Sequence, residues 1–160
     1  LFNQASSNTL ALHDITTNLD DPPYFMHLAE RSYDTSRPGA LKGGRLDLKY
    51  ATLHRETFPD MQSVRLSVPS GEALGAFRRA AERLGWTVEH QSRQYGQLEA
   101  SYIHPLIQLR SNIVARVRPI DAGDHSILDI RAVSLLGTTD YGSNARLIRE
   151  FLAEIRRDLP

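Results

Sequence analysis

Three arginines and one aspartate in the second half of the chain have the types and spacing of a binding site. Arg116 and Arg118 precede the polar segment 119–125, and Asp129 and Arg131 follow it. The composition of this segment is typical of a hairpin loop, which places Arg116 opposite Asp129. The two-residue alternation of strands then brings Arg118 and Arg131 onto the same face. Because guanidinium groups bind anions through forked hydrogen bonds, this face is either a site for an anion or a protein partner, or a solvated ladder of opposite charges.

A second polar group precedes the last predicted helix. Asp140, Ser143 and Asn144 lie where the N-terminus of a helix leaves backbone N–H groups unpaired. Such N–H groups donate to the oxygen of a capping side chain or bind an anion. Capping alone accounts for these residue types, and a binding role is the alternative.

Several familiar kinds of chemistry have no support in the sequence. The six histidines are spread singly, without the close spacing of metal ligands, and the chain has no cysteine for a thiolate nucleophile or a zinc ribbon. The loop 39–44 has the first spacing of a phosphate-binding loop, but Arg45 and Leu46 stand where Lys and Ser or Thr are required. No Gly-x-Ser-x-Gly elbow occurs either. We therefore expect no catalytic constellation, no metal and no cofactor.

The charge balance excludes further classes of partner. The 160 residues carry 19 Lys and Arg against 19 Asp and Glu, so the formal net charge is zero. A nucleic-acid-binding protein or a polybasic membrane-surface module needs a cationic surplus. All the cations except Lys42 and Lys49 are arginines, which suit fixed ion pairs and protein interfaces. We therefore expect no nucleic-acid partner.

The pattern of apolar residues divides the chain into two regions. Residues 1–62 contain many Pro and Gly breakers and little periodicity, so we expect an irregular, extended N-terminal arm there. Residues 63–160 are predicted to form an α+β domain with a mainly antiparallel sheet and both helices on one face. Its predicted elements, in order, are a strand at 64–68, a helix over 70–84, strands at 86–90, 98–102, 112–118 and 126–134, and a helix after Ser143.

Three motifs, taken together, resemble one known family. The run from Asp129 to Ile148 is similar to the C-terminal signature of the domain of unknown function 1499 family. His13-Asp-Ile-Thr-Thr17 with Asp20-Asp-Pro-Pro23 is similar to a motif near the start of that family, and Phe58-Pro59-Asp60 to its Tyr-Pro-Asp step. The signature adds Ser134 and Arg146 to the candidate binding residues, beside Asp140 and Asn144.

The chain also departs from the family pattern at positions that bear on chemistry. Ser111 and Asn112 stand where the family commonly carries an Asp-Asp pair. Ala132 and Leu135 replace a serine and an arginine of the C-terminal signature. An acidic metal site or catalytic dyad therefore loses its ligands here, and these departures favour docking over catalysis.

The resemblance implies a location and a class of partner. Bacterial members often carry membrane helices or export signals, plastid relatives are associated with thylakoids, and the family implies no enzymatic activity. We therefore expect a non-enzymatic accessory or interaction subunit on the periplasmic side of the membrane. It would dock onto an integral membrane protein complex, with a photosynthetic or respiratory complex as the candidate. Because the chain begins at Leu1, we expect its export signal or membrane anchor in a segment upstream.

Two other functions are compatible with the sequence. The second hypothesis is a small-ligand protein that encloses a lipid or an anion, with Trp86, Tyr95 and Tyr102 as lining residues. The third is a hydrolase or transferase that uses Asp129 and Asp140 together with Arg131.

Overall fold

The fold is built on one antiparallel sheet of six strands. The computed structural model describes residues 12–28, 48–135, 140 and 142–160. The strands are β1 (Asp14–Thr16), β2 (Val64–Leu66), β3 (Thr87–Ser92), β4 (Gln97–Ile103), β5 (Arg110–Ile120) and β6 (His125–Ser134). The helices are α1 (Leu48–Thr57), α2 (Ser70–Arg83) and α3 (Ser143–Asp158), and a 3₁₀ turn, Asp121–Gly123, joins β5 to β6.

The strand order is β1-β6-β5-β4-β3, and β2 pairs with β6 on the same side as β1. Thus β1 lies beside the second half of β6, whereas β2 lies beside its first half. The α+β prediction is confirmed, including the order strand, helix, four strands, helix and the antiparallel pairing. Alternation of apolar and polar residues in the strands and an apolar stripe along each helix were sufficient for this prediction, because both patterns place apolar residues on one side of the element.

The core lies between the sheet and the two longer helices. Helices α2 and α3 contact each other and the same sheet. Phe77 of α2 meets Phe151 of α3 edge to face, with ring centroids 5.6 Å apart. Trp86 stacks on the same Phe151 ring at 5.2 Å. Leu98 from the sheet is fully buried in this cluster, so that face of the sheet is apolar and closed.

The described part of the predicted N-terminal arm contains two elements that the sequence pattern does not predict. These are β1, which is three residues long, and α1, whose amphipathic pattern is weak. A strand this short shows no alternation that sequence reasoning can use, and tertiary context decides its structure. Residues 1–11 and 29–47 of the arm lie outside the described residues.

Helix α1 covers the outer edge of β1 with two buried side chains. The backbone N–H of Asp14 donates to the Tyr50 hydroxyl at 2.9 Å, and that hydroxyl donates to the carbonyl of Asp14 at 2.5 Å. The N–H of Thr16 donates to Nε2 of His54 at 3.1 Å. A helix thus satisfies the backbone groups that an uncovered edge strand would leave open for pairing.

Among the described residues, no helix has both the length and the apolar character that crossing a membrane requires.

Candidate functional site

The face of the sheet opposite α2 and α3 is polar, yet much of it is buried. Strand alternation sends the apolar side chains of β4, β5 and β6 toward the helices and their polar neighbours to the other face. Residues 18–28, named here the crossing segment, bond to these polar side chains from β4, β5 and β6. The buried polar residues of this face include Asp14, Gln97, Glu99, Ser101, Asn112, Asp129 and Arg131.

Asp129 is at the centre of the first cluster on this face. The register pairs Arg116 with Asp129, which confirms the prediction from the hairpin. Arg116 and Arg118 each donate to Oδ2 of Asp129 at 2.8 Å. Ser63 donates to Oδ1 at 2.5 Å, and the side-chain amide of Asn18 donates to the same oxygen at 3.3 Å. Both oxygens of this carboxylate are therefore engaged by the protein itself.

The same contacts set the charge state of Asp129. Burial raises the pKa of this carboxyl, but hydrogen bonds from Ser63 and Arg116 and the charges of Arg118 and Arg116 outweigh it. The net pKa lies below its ordinary value, so Asp129 is a carboxylate at neutral pH.

Arg131 belongs to a second cluster on the same face. Its guanidinium forms a forked pair with Asp14 of β1, in which Nε donates to Oδ1 and a terminal nitrogen to Oδ2, both at 2.8 Å. Its other terminal nitrogen donates to the carbonyl of Pro23 at 3.1 Å, and its Cζ lies 5.7 Å from the ring centroid of Phe25. Arg131 and Asp14 are both buried, so this ion pair lies away from water.

Glu99 is a buried charge that no sequence motif marks. Its carboxylate accepts from three successive backbone N–H groups of the crossing segment, those of Met26 at 2.5 Å, His27 at 3.1 Å and Leu28 at 2.8 Å. Beside it, the amide of Gln97 donates to the carbonyl of Tyr24 at 2.6 Å. Consecutive N–H groups of this kind form an anion-binding nest, here occupied by the protein's own carboxylate.

Asp140 caps the N-terminus of α3. Its carboxylate accepts from the N–H of Gly142 at 2.8 Å and from the N–H of Asn144 at 3.0 Å. Burial raises the pKa of Asp140, and the two backbone hydrogen bonds oppose that rise. Of the two roles considered for Asp140, capping and binding, these contacts show capping.

The side chain of Asn144 joins α3 to β5, to β6 and to the residue before β1. Its Nδ2 donates to the carbonyl of His13 at 2.9 Å and to Oγ of Ser134 at 2.8 Å. Its Oδ1 accepts from the hydroxyl of Ser111 at 2.7 Å. Asn144 and both serines are buried, so this amide acts as a polar clamp inside the fold.

Arg146 is separate from these groups and exposed. One of its terminal nitrogens lies 3.0 Å from Nε2 of His104, and its Nε lies 3.7 Å from the carboxylate of Glu150.

The predicted binding residues therefore form several groups rather than one site. Arg116 and Arg118 meet at Asp129, Arg131 pairs with Asp14, the polar residues at the start of α3 form a third group, and Arg146 lies at the surface. Residues 136–139 and 141 of the signature lie outside the described residues. Within the described ranges, no group of three or more His, Cys, Asp or Glu is arranged to hold a metal ion.

The aromatic side chains expected to line a ligand site have other positions. Trp86 is buried against Phe151, and Tyr95 is exposed in the turn between β3 and β4. Tyr102 packs at the margin of the core. Trp86 thus belongs to the core packing and Tyr95 to the surface.

One groove of about 290 Å³ lies where the start of the crossing segment meets the end of α1. Asn18, Leu19, Phe58 and Met61 line it together with His54. Burial lowers the pKa of His54 to about 4. Because its Nε2 accepts from a backbone N–H, neutral His54 carries its proton on Nδ1, for which the described residues supply no hydrogen-bond acceptor.

Comparison with known proteins gives a family but no activity. A solved protein from Nitrosospira multiformis is 10% identical, with a TM-score of 0.49, over 62% of this chain and 94% of that one. A Chromobacterium violaceum protein is 12% identical, with a TM-score of 0.33, over 58% and 94%. No curated protein matches the chain. The family profile described as protein of unknown function (DUF1499) matches residues 14–155, which is most of the chain. The chain therefore belongs to that family.

Proposed function

We propose that this protein is a non-enzymatic accessory subunit that binds an integral membrane protein complex from the periplasmic side. The observation that carries the proposal is the use of the charged signature residues inside the fold. Asp129, Arg131 and Asp140 are all buried, and each is bonded to other groups of the same chain. Because these charged groups stabilise the fold itself, the protein would recognise its partner through other residues on its outer surface.

An enzymatic role would require a reactive group that a substrate can reach. General acids, bases and nucleophiles must come within hydrogen-bond distance of the reacting atoms. The carboxylate oxygens of Asp129 already accept from two arginines, a serine and an amide, and those of Asp140 accept from backbone N–H groups. These contacts support a structural use of both carboxylates.

The location and the class of partner are parts of the same proposal. Their support is the resemblance to family members that carry export signals, membrane helices or a thylakoid association. A photosynthetic or respiratory complex is the partner that we propose, and the arginine-rich set of cations suits a protein interface.

Affinity purification tests this proposal. The full-length protein, tagged at its C-terminus and expressed in its native host, is recovered from detergent-solubilised membranes, with a tagged unrelated exported protein as the control. We expect an integral membrane protein at a stoichiometric level in the first sample and not in the second. Recovery of the tagged protein alone would refute the proposal.

A second candidate function is the binding of a small molecule in the groove beside His54. At about 290 Å³ the groove is near the lower limit of ligand clefts, and the Nδ1–H of His54 needs an acceptor. Native mass spectrometry of the purified protein tests this candidate. A retained lipid or anion that is lost in the groove-filling variant Leu19→Trp would support it, and a mass equal to that of the chain alone would argue against it.

A further inference from the structure

The loop between β4 and β5 exposes aliphatic side chains at its tip. Ile103 is 53% exposed, Leu106 is 87% exposed and Ile107 is 45% exposed. The segment 103–109, named here the tip loop, reads Ile-His-Pro-Leu-Ile-Gln-Leu and contains no acidic residue. Single exposed apolar residues are ordinary, but Ile103 at the end of β4 and Leu106 and Ile107 on the loop place three of them within five positions, as at a contact surface.

Internal hydrogen bonds hold the tip loop in this conformation. The N–H of His104 donates to the carbonyl of Leu109 at 2.9 Å, and the N–H of Gln108 donates back to the carbonyl of His104 at 2.8 Å. The side-chain amide of Gln108 donates to the carbonyl of Pro105 at 2.8 Å. Gln108 has φ +52°, a left-handed conformation that is unfavourable for a residue with a side chain. Backbone strain of this kind is a cost to folding, and such strain concentrates at functional loops.

Two guanidinium groups lie at the base of the tip loop. Arg110 directly follows the loop, and Arg146 reaches to within 3.0 Å of Nε2 of His104. Both arginines are exposed, and within the described residues their ion pairs are long, 3.5 Å to Glu89 for Arg110 and 3.7 Å to Glu150 for Arg146. The Nε of Arg110 also donates to Oδ1 of Asn112 at 3.4 Å. Exposed pairs of this kind contribute little to stability, so these arginines can exchange a carboxylate for a phosphate oxygen.

The shape and composition of the tip decide between a membrane and a protein groove. The binding energy of protein interfaces concentrates in Trp, Tyr and Arg, and Leu is under-represented there. The exposed tip is aliphatic, with no Phe, Trp or Tyr in 103–109, and the exposed fraction reaches 87% at Leu106. Aliphatic side chains that project beside cations fit a bilayer interface, where acyl chains need no shaped pocket and phosphates bind the cations.

We propose that the tip loop inserts into the interface of an anionic lipid bilayer, with Arg110 and Arg146 bound to lipid phosphates. The apolar side chains Leu106 and Ile107 enter the acyl boundary, and the arginines remain at the level of the headgroups. For its biological setting this inference rests on the proposed function, because insertion would orient the domain beside its membrane partner. The lipid contact itself requires no partner.

Vesicle sedimentation with the full chain tests the inference without any membrane protein. Vesicles of phosphatidylcholine are compared with vesicles of phosphatidylcholine and phosphatidylglycerol. We expect binding to the anionic vesicles, and a loss of about tenfold in the partition constant for Leu106→Asp. The matched control is Tyr95→Asp, which places the same charge on an exposed aromatic, 56% accessible, in the turn at the opposite end of β4. It should bind like the wild type.

A fluorescent label reports insertion directly. The chain contains no cysteine, so Leu106→Cys and Tyr95→Cys each give a single labelling site for an environment-sensitive dye. Anionic vesicles should shift the emission of the dye to the blue at position 106 and leave it unchanged at position 95. The far-UV circular dichroism of each variant must match that of the wild type.

The outcomes separate the lipid contact from the proposed function. Equal binding of Leu106→Asp and wild type, or no vesicle binding by the wild type, would overturn the lipid contact. If the wild type binds no vesicles and Leu106→Asp loses a membrane protein in affinity purification, the tip loop binds protein, and the lipid inference is wrong. If the anionic vesicles bind but affinity purification recovers no partner, the inference stands and the proposed function fails.

Discussion

The buried ion pair between Asp14 and Arg131 gives the sharpest test of a structural role for the signature residues. The forked pair has two contacts of 2.8 Å, and both side chains are buried. Removal of one member leaves the other as an uncompensated buried charge, which costs about 3–5 kcal/mol in comparable pairs. We expect a loss of that size for Asp14→Asn, which keeps the shape of the side chain, and for Arg131→Met.

The double variant Asp14→Asn/Arg131→Met leaves no buried charge at this position. We therefore expect its loss of stability to be smaller than the sum of the two single losses by at least about 2 kcal/mol. Arg131→Lys keeps the charge but not the fork, so it should be less destabilising than Arg131→Met. This milder variant also provides a folded sample if a single substitution prevents folding.

Urea denaturation measures all four variants. The chain has a single tryptophan, Trp86, buried against Phe151, so its fluorescence reports the packing of the core. Far-UV circular dichroism must give the same midpoint for a two-state treatment. Single losses below about 1 kcal/mol that simply add in the double variant would refute the reasoning, because they would mean that the pair is neither desolvated nor coupled.

Three further predictions follow from the other buried polar groups. Glu99→Gln should destabilise the fold by about 1–3 kcal/mol, because the NH₂ group of the new glutamine must face a backbone N–H. Hydrogen exchange of the backbone amides of residues 26–28 should become faster. His54 has a folded pKa of about 4 against 6.5 unfolded, so stability should be complete above 6.5 and fall as the pH drops toward 4; urea midpoints measured across this window should vary less in His54→Gln. Asp140→Ala should lower stability by about 0.5–2 kcal/mol in thermal unfolding, through loss of the helix cap. Glu150→Ala, which removes an exposed carboxylate from the middle of the same helix, is the matched control and should have a smaller effect.

The sheet and the register of its central hairpin were predictable from sequence for a physical reason. Side chains alternate along a strand with a period of two, and a short loop fixes which residues face each other. These two rules are sufficient to place Arg116 opposite Asp129 and Arg131 on the same face. Neither rule contains information about strands that arrive from distant parts of the chain.

The remainder of the polar face depends on such distant contacts. Arg131 pairs with Asp14, a residue more than 100 positions earlier in a strand too short to predict. Glu99 binds backbone N–H groups, which every residue except proline possesses, so no side-chain motif marks its partners. The sequence therefore indicates which residues are chemically notable, whereas the structure shows which of them are already engaged.

The crossing segment is held mainly through its main chain, and this sets which mutations it tolerates. Arg116, Arg131 and Gln97 bind its carbonyl groups, and Glu99 binds its N–H groups. Replacement of an exposed side chain such as that of Met26 leaves these bonds intact, whereas the insertion or deletion of one residue displaces every carbonyl and N–H beyond it. Within this segment, drift in residue identity should therefore be common across relatives, and changes in length should be rare.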